Sequence, residues 1–128
     1  MKIDRFEDME IWKDARELCK YVFALTLKEP FTKDFKLRDQ IRSSSGSIMD
    51  NIAEGFERGG NKEFIQFLYI SKGSCGETRS QSYRAFDQRY IDQQELDLLI
   101  TQTLAQSTKT ANLIKYLKNS DLKGAKFH

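Results

Sequence analysis

Leu37, Ile41, Ile48 and Ile52 recur at helical spacing and Phe56 closes the row, so residues 37–58 read as one long amphipathic helix. Between the isoleucines lies a small, polar run, Ser43-Ser44-Ser45-Gly46-Ser47. Serine lowers helix propensity, and glycine costs about 1 kcal/mol relative to alanine. A helix tolerates such a run where packing repays it, so the segment predicts a close helix–helix contact near its middle. The alternative is a kink or loop that splits it.

The rest of the chain supplies partners for that helix. Residues 7–28 carry a heptad seam of Ile11, Ala15, Leu18, Val22 and Leu25. Trp12, Cys19, Phe23 and Thr26 form a second row beside it, making an apolar face wider than one partner helix needs. Pro30 stops this first helix, and Thr32 to Asp34 offer a cap for the next, which begins at Lys33 or Phe35. Gly59-Gly60 reads as a turn, with Asn61 as the cap of a third helix running to about Arg89. Its stripe is Phe64, Phe67, Leu68, Ser71, Ser74, Cys75, Thr78, Ser82, Ala85 and Phe86, with Gly73 and Gly76 expected to widen a small-residue notch. Asp92 and Glu95 have capping-box spacing, flanked by Ile91 and Leu96 as a hydrophobic staple. The fourth helix is expected to end near Lys118. These four segments with short breaks predict an all-α, antiparallel up-down-up-down four-helix bundle. Residues 1–119 form the bundle domain in this reading, and 120–128 a flexible C-terminal tail.

Composition limits the chemistry. The 128 residues are 31% charged with a net charge of +2. Asp4 to Glu17 hold six acids against three bases, whereas Lys109 to His128 hold five lysines against one acid. A basic segment of that kind suits phosphates, or is simply a solvated helix end. Cys19 and Cys75 lack CxxC spacing, and the sole histidine is His128, so the usual zinc arrangements are excluded and buried free thiols are expected. Di-metal carboxylate bundles need Glu-x-x-His on two helices, which this chain lacks. The opening Met1-Lys2-Ile3-Asp4 predicts no secretory leader, and no apolar run approaches the roughly 20 residues of a membrane span. The expectation is a cytoplasmic protein with no catalytic, cofactor or metal site and no membrane partner.

Asp39-Gln40-Ile41-Arg42, Ser47-Ile48, Asn51-Ile52-Ala53-Glu54-Gly55 and Lys62-Glu63-Phe64 resemble the 23S rRNA-intervening sequence proteins. Residues 6–15, FEDMEIWKDA, resemble that family's first-helix signature, and residues 67–74 with Glu77 its third-helix block. The resemblance covers about Phe6 to Ile114. It implies an antiparallel four-helix bundle assembled as a ring-shaped homopentamer, with biochemical activity unassigned. A related bundle is an accessory of a reverse transcriptase in diversity-generating retroelements and contacts nucleic acid, so RNA or a nucleoprotein is the implied partner. Two positions depart from the family pattern: Ser43-Ser44-Ser45-Gly46 stands where alanines are usual, and Met49 where proline is frequent.

Four polar residues of the signature, Asp39, Arg42, Asn51 and Glu54, fall three apart in pairs that can share a helix face. They read as register-fixing groups inside the bundle or as a polar pocket. Basic candidates for nucleic-acid contact are Arg38, Arg42, Arg58, Lys62, Lys115, Lys118, Lys123 and Lys126. Ile11, Trp12, Leu18, Phe23, Phe64 and Phe67 read as core or oligomer contacts, and the aromatics do not interleave with the basic candidates in the way a stacking platform requires. Glu77 is a candidate partner for Arg38 or Arg42. A scaffold that binds only protein is the competing function, motivated by the apolar width of the first helix.

Overall fold

A computed structural model of the chain describes residues 3–122. Its helices are α1 (Glu10–Thr26), α2 (Phe35–Glu57), α3 (Asn61–Asp87) and α4 (Gln93–Leu122). Each packs against its neighbours in sequence, and α4 closes back on α1, giving the antiparallel up-down-up-down bundle. The α2–α3 pair has the most extensive contact and α1–α4 the least. The predicted seam of α1 is buried throughout: Ile11, Ala15, Leu18, Val22 and Leu25. They meet Leu37, Ile41, Ile48 and Ile52 of α2, Phe64 and Leu68 of α3, and Leu99, Ile114 and Leu117 of α4 in one core.

Several boundaries differ from the sequence expectation. The segment 6–8 is a 3-10 turn rather than the first turn of α1, because Met9 is extended (φ −79°, ψ 132°) and buries its side chain. The first helix ends at Thr26, before Lys28. After Pro30, Phe31–Lys33 form a second 3-10 turn, and Phe31 is fully buried and stacked on Tyr90 with ring centroids 5.0 Å apart. Nothing in the periodicity marks Phe31 as core, since it lies in a connection. Asn61 does not cap α3: Gly60 occupies that place, and the Asn61 side-chain nitrogen is buried without a hydrogen-bond partner. The third helix stops at Asp87 because Arg89 adopts a left-handed conformation (φ 64°), which lets the Tyr90 N–H reach Ala85 O at 2.9 Å. The fourth helix continues past Lys118 to Leu122.

Two caps follow the sequence. Asp92 accepts from the Glu95 N–H and Glu95 from the Asp92 N–H, both at 2.8 Å, the reciprocal capping box. Asp34 accepts from the Leu37 N–H at 3.1 Å and from the Tyr90 hydroxyl at 2.9 Å. The Leu37 N–H, and then the Tyr90 hydroxyl, hold the Asp34 carboxyl below its ordinary value. Asp34→Ala is expected to cost about 1 kcal/mol. A carboxyl lowered on folding stabilises fully above the unfolded value of about 3.9, and that contribution fades as pH falls through the folded value. Urea titrations from pH 7 down to pH 2.5 should therefore show the wild type and Asp34→Ala converging only at the acid end.

The seam between α2 and α3 is a line of hydroxyls. Ser44 Oγ donates to Gln81 Oε1 at 2.6 Å and lies 2.9 Å from Thr78 Oγ1, all three side chains being buried. Ser71 Oγ donates to Ile48 O at 2.8 Å, and Ser74 Oγ to Ser47 Oγ at 3.1 Å. The hydroxyls thus fill the gap between the helices instead of emptying it. The tightest approach is elsewhere, at Gly55, where a Cβ would stand 2.5 Å from Phe67 Cβ and 3.1 Å from Phe64 Cδ1. Gly46 faces α1, with Cys19 Sγ 4.0 Å from where its Cβ would be. A Cβ on Gly73 or Gly76 meets nothing within 4 Å, so these glycines are not part of the notch the sequence predicts. Gly73 is two residues, about 200° of helix, from buried Ser71 and so faces away from α2. Cys75 donates to Thr103 O at 3.1 Å, and burial pushes its thiol up to about 11, as an inert core thiol requires.

Candidate nucleic-acid interface

The signature polar residues are used separately. Asp39 and Arg42 do not pair. The exposed Asp39 carboxylate accepts from Arg38 Nε at 2.9 Å. Arg42 Nε donates to the buried Thr26 hydroxyl at 2.7 Å, and that hydroxyl donates to Phe23 O at 2.7 Å. Asn51 and Glu54 do not pair either. Asn51 Nδ2 donates to the carbonyl and hydroxyl of Ser47, both at 2.8 Å, joining the α2–α3 hydroxyl line through Ser74. Glu54 is exposed and accepts from Arg58 at 3.0 Å. Buried groups that link one helix to another include instead Ser44, Thr78 and Gln81, together with Ser71, Cys75 and Gln106, the last donating to Ile11 O at 2.9 Å. Glu77 accepts from Gln81 Nε2 at 3.4 Å rather than from Arg38 or Arg42.

Topology divides the predicted basic residues between the two ends of the bundle. Arg38 and Arg42 lie on the first half of α2, beside the α1–α2 connection. Arg58 and Lys62 flank the α2–α3 turn, and Lys115 and Lys118 lie toward the same end on α4. Lys123 and Lys126 lie outside the described residues. Arg58 is shared between Glu54 at 3.0 Å and Glu63 at 3.7 Å. Lys118 donates to the Tyr69 hydroxyl at 2.8 Å. Among the described residues, Lys62 and Lys115 are exposed and form no ion pair, nor does Arg42. Lys109 is spent internally, 2.8 Å from Asp14 and 2.9 Å from Glu10, which ties α4 to the acidic start of α1. Hydrogen bonds first to Asp14 and then to Glu10 raise its pKa.

The aromatic residues depart most from the sequence expectation. Ile11, Leu18 and Phe64 are buried in the core, while Trp12 and Phe67 are partly covered. Phe23 is not a core residue: it is 48% exposed, and the Arg42 guanidinium carbon lies 4.5 Å from its ring centroid. Phe35, which the periodicity left unassigned, is 64% exposed under Arg38 at 4.8 Å. Arg58 lies over Phe67 at 5.1 Å and Arg16 over Trp12 at 5.7 Å. These are cation–π distances. Contrary to the sequence expectation, arginines and rings therefore interleave in space, and two of the pairs, Phe35 with Arg38 and Trp12 with Arg16, are already helical neighbours on the chain. Phe23 and Arg42 come from different helices, so no spacing rule connects them.

Other surfaces offer less. A cleft of about 240 Å³ beside the α2–α3 turn is lined by Ile3, Asp4, Phe56, Gly59, Gly60, Asn61 and Phe64. Among the described residues of that lining, Asp4 is the one acidic or basic side chain, and no acid–base pair is formed there. Among the described residues, no three His, Cys, Asp or Glu side chains group as metal ligands. No described helix is long and apolar enough to cross a membrane.

A family model described as 23S rRNA-intervening sequence protein matches residues 7–119. A solved structure from Bacteroides thetaiotaomicron, described as a protein of unknown function from the S23 ribosomal protein family, superposes with a TM-score of 0.75. It is 20% identical, and the alignment covers 82% of this chain and 98% of that one, a likeness of fold. No curated protein matches the chain.

Proposed function

The chain belongs to the 23S rRNA-intervening sequence protein family, and from that membership we propose that it is a non-enzymatic, oligomeric bundle that binds RNA or a nucleoprotein. The observation that carries this reading is that, among the described residues, four of the predicted cations have no carboxylate partner, Arg42 at one end of the bundle and Lys62, Lys115 and Lys118 toward the other. A homopentameric ring, the assembly implied by the family resemblance, would repeat each of these five times. Phosphate affinity grows with every cation that displaces a counterion, so a modest patch on one protomer becomes substantial on a ring. A cytoplasmic setting belongs to the same reading. Filter binding with a structured RNA across salt concentrations tests it. The affinity is expected to fall log-linearly with salt, more steeply than one protomer's cations permit. Absence of binding even at low salt rejects the proposal.

A protein-only scaffold is the second reading. Ile70, Leu98 and Leu104 are large apolar side chains left exposed on α3 and α4, and Gly73 keeps a bare outer face between turns. Light scattering separates the readings in part: a clean monomer at micromolar concentration counts against any ring. A stable oligomer without RNA affinity favours the scaffold.

A further inference from the structure

Resting on the proposal that the protein binds RNA, we infer that the row Phe23–Arg42–Arg38–Phe35 is a stacking platform for unpaired bases of single-stranded RNA. Arg38 and Arg42 are four residues apart on α2, so their side chains leave the same face just over one turn, about 6 Å, apart. Each guanidinium lies over a different exposed ring, Arg42 over Phe23 of α1 and Arg38 over Phe35 at the start of α2. Both are fixed from behind. Arg42 Nε donates to Thr26 Oγ1 at 2.7 Å, and Arg38 Nη1 donates to Thr32 O at 3.0 Å. Each guanidinium is thereby held against its ring instead of sweeping through solvent.

That arrangement suits bases more than it suits duplex backbone. Single-stranded RNA is recognised by stacking on aromatic rings and on guanidinium planes, with phosphates met by the remaining N–H groups. Away from its two ends, an A-form duplex presents phosphates, 2′-hydroxyls and base edges but no free base face. Charge complements the same ligand. The row carries two cations against one acid, Asp39, which is exposed and bound only to Arg38, so a phosphate can compete for that guanidinium. Among the described residues, no carboxylate pairs with Arg42.

Fluorescence anisotropy with a labelled oligouridylate and a blunt RNA duplex of equal length tests the inference on the full chain. Phe23→Ala combined with Phe35→Ala is expected to weaken oligouridylate binding about tenfold or more while leaving duplex binding unchanged. Arg42→Lys keeps the charge and loses the plane. It should weaken oligouridylate binding without changing the salt slope, and it covers the case in which the double variant loses helix content. If the wild type binds RNA and both variants bind oligouridylate as tightly, the platform lies elsewhere while RNA binding stands. If the wild type binds no RNA at low salt, the inference and the reading beneath it fail together. A drop in solution mass for the double variant, with RNA affinity per protomer kept, makes the row a contact between copies of the chain and overturns the inference.

Discussion

Gly55→Ala is expected to lower stability by about 3 kcal/mol, the upper part of the range for overpacking a core. The added methyl would lie 2.5 Å from Phe67 Cβ, an atom that cannot rotate away because it is fixed to the α3 backbone. Phe64 Cδ1 at 3.1 Å blocks a small shift in the other direction. Alanine gains about 1 kcal/mol of helix propensity over glycine, which is too little to offset separating two packed helices. Gly46→Ala is the control within the same helix. Its methyl would meet only Cys19 Sγ at 4.0 Å, ordinary contact, so the propensity gain should show as unchanged or slightly higher stability. Denaturant midpoints at constant m-value measure both. Equal midpoints for Gly55→Ala and the wild type would remove Gly55 as the point of closest approach.

Ser44→Ala is the second large effect, about 1–3 kcal/mol. Gln81 is 5% exposed, and Ser44 donates to its carbonyl oxygen at 2.6 Å. Without the hydroxyl that oxygen stays buried and loses its donor, which costs more than the net worth of one hydrogen bond. The cavity left by one oxygen is small, so desolvation decides the magnitude. Ser44→Ala combined with Gln81→Leu removes donor and acceptor together and should recover part of the loss. A double-mutant cycle gives the coupling directly. Strict additivity of the two single changes would show that the bond contributes nothing to holding α2 against α3.

These two sites show how legibility divides. The serine run is unusual on sight, and the burial of Ser44 and Ser45 within it follows from the phase they share with Ile41, Ile48 and Ile52. That Ser44 would find Gln81 and Thr78 was not readable, because the partner is set by the axial register of two helices and register leaves no trace in the period of either. Gly55 carried the opposite problem. It sat within a family-like motif, Asn51-Ile52-Ala53-Glu54-Gly55, beside more conspicuous polar neighbours. Gly73 and Gly76 looked equally suited to close packing. A count of 100° per residue from Ser71 would have placed Gly73 on the outer face.

The sequence by itself determined the number of α-helices, their order, the core rows of α1 and α2, the capping box at Asp92 and Glu95, and the family. Those properties rest on local chemistry: periodicity, propensity and the capping of free N–H groups are all decided within a few residues. Only the tertiary structure decided that Phe31 closes the core from a connection and that Gly55 is the point of contact. It also decided that Arg42 lies over Phe23 while Asp39 and Glu54 turn to local partners. Each of these depends on the distance and rotation between two helices. Many side chains set those together, and no single stretch of the chain encodes them.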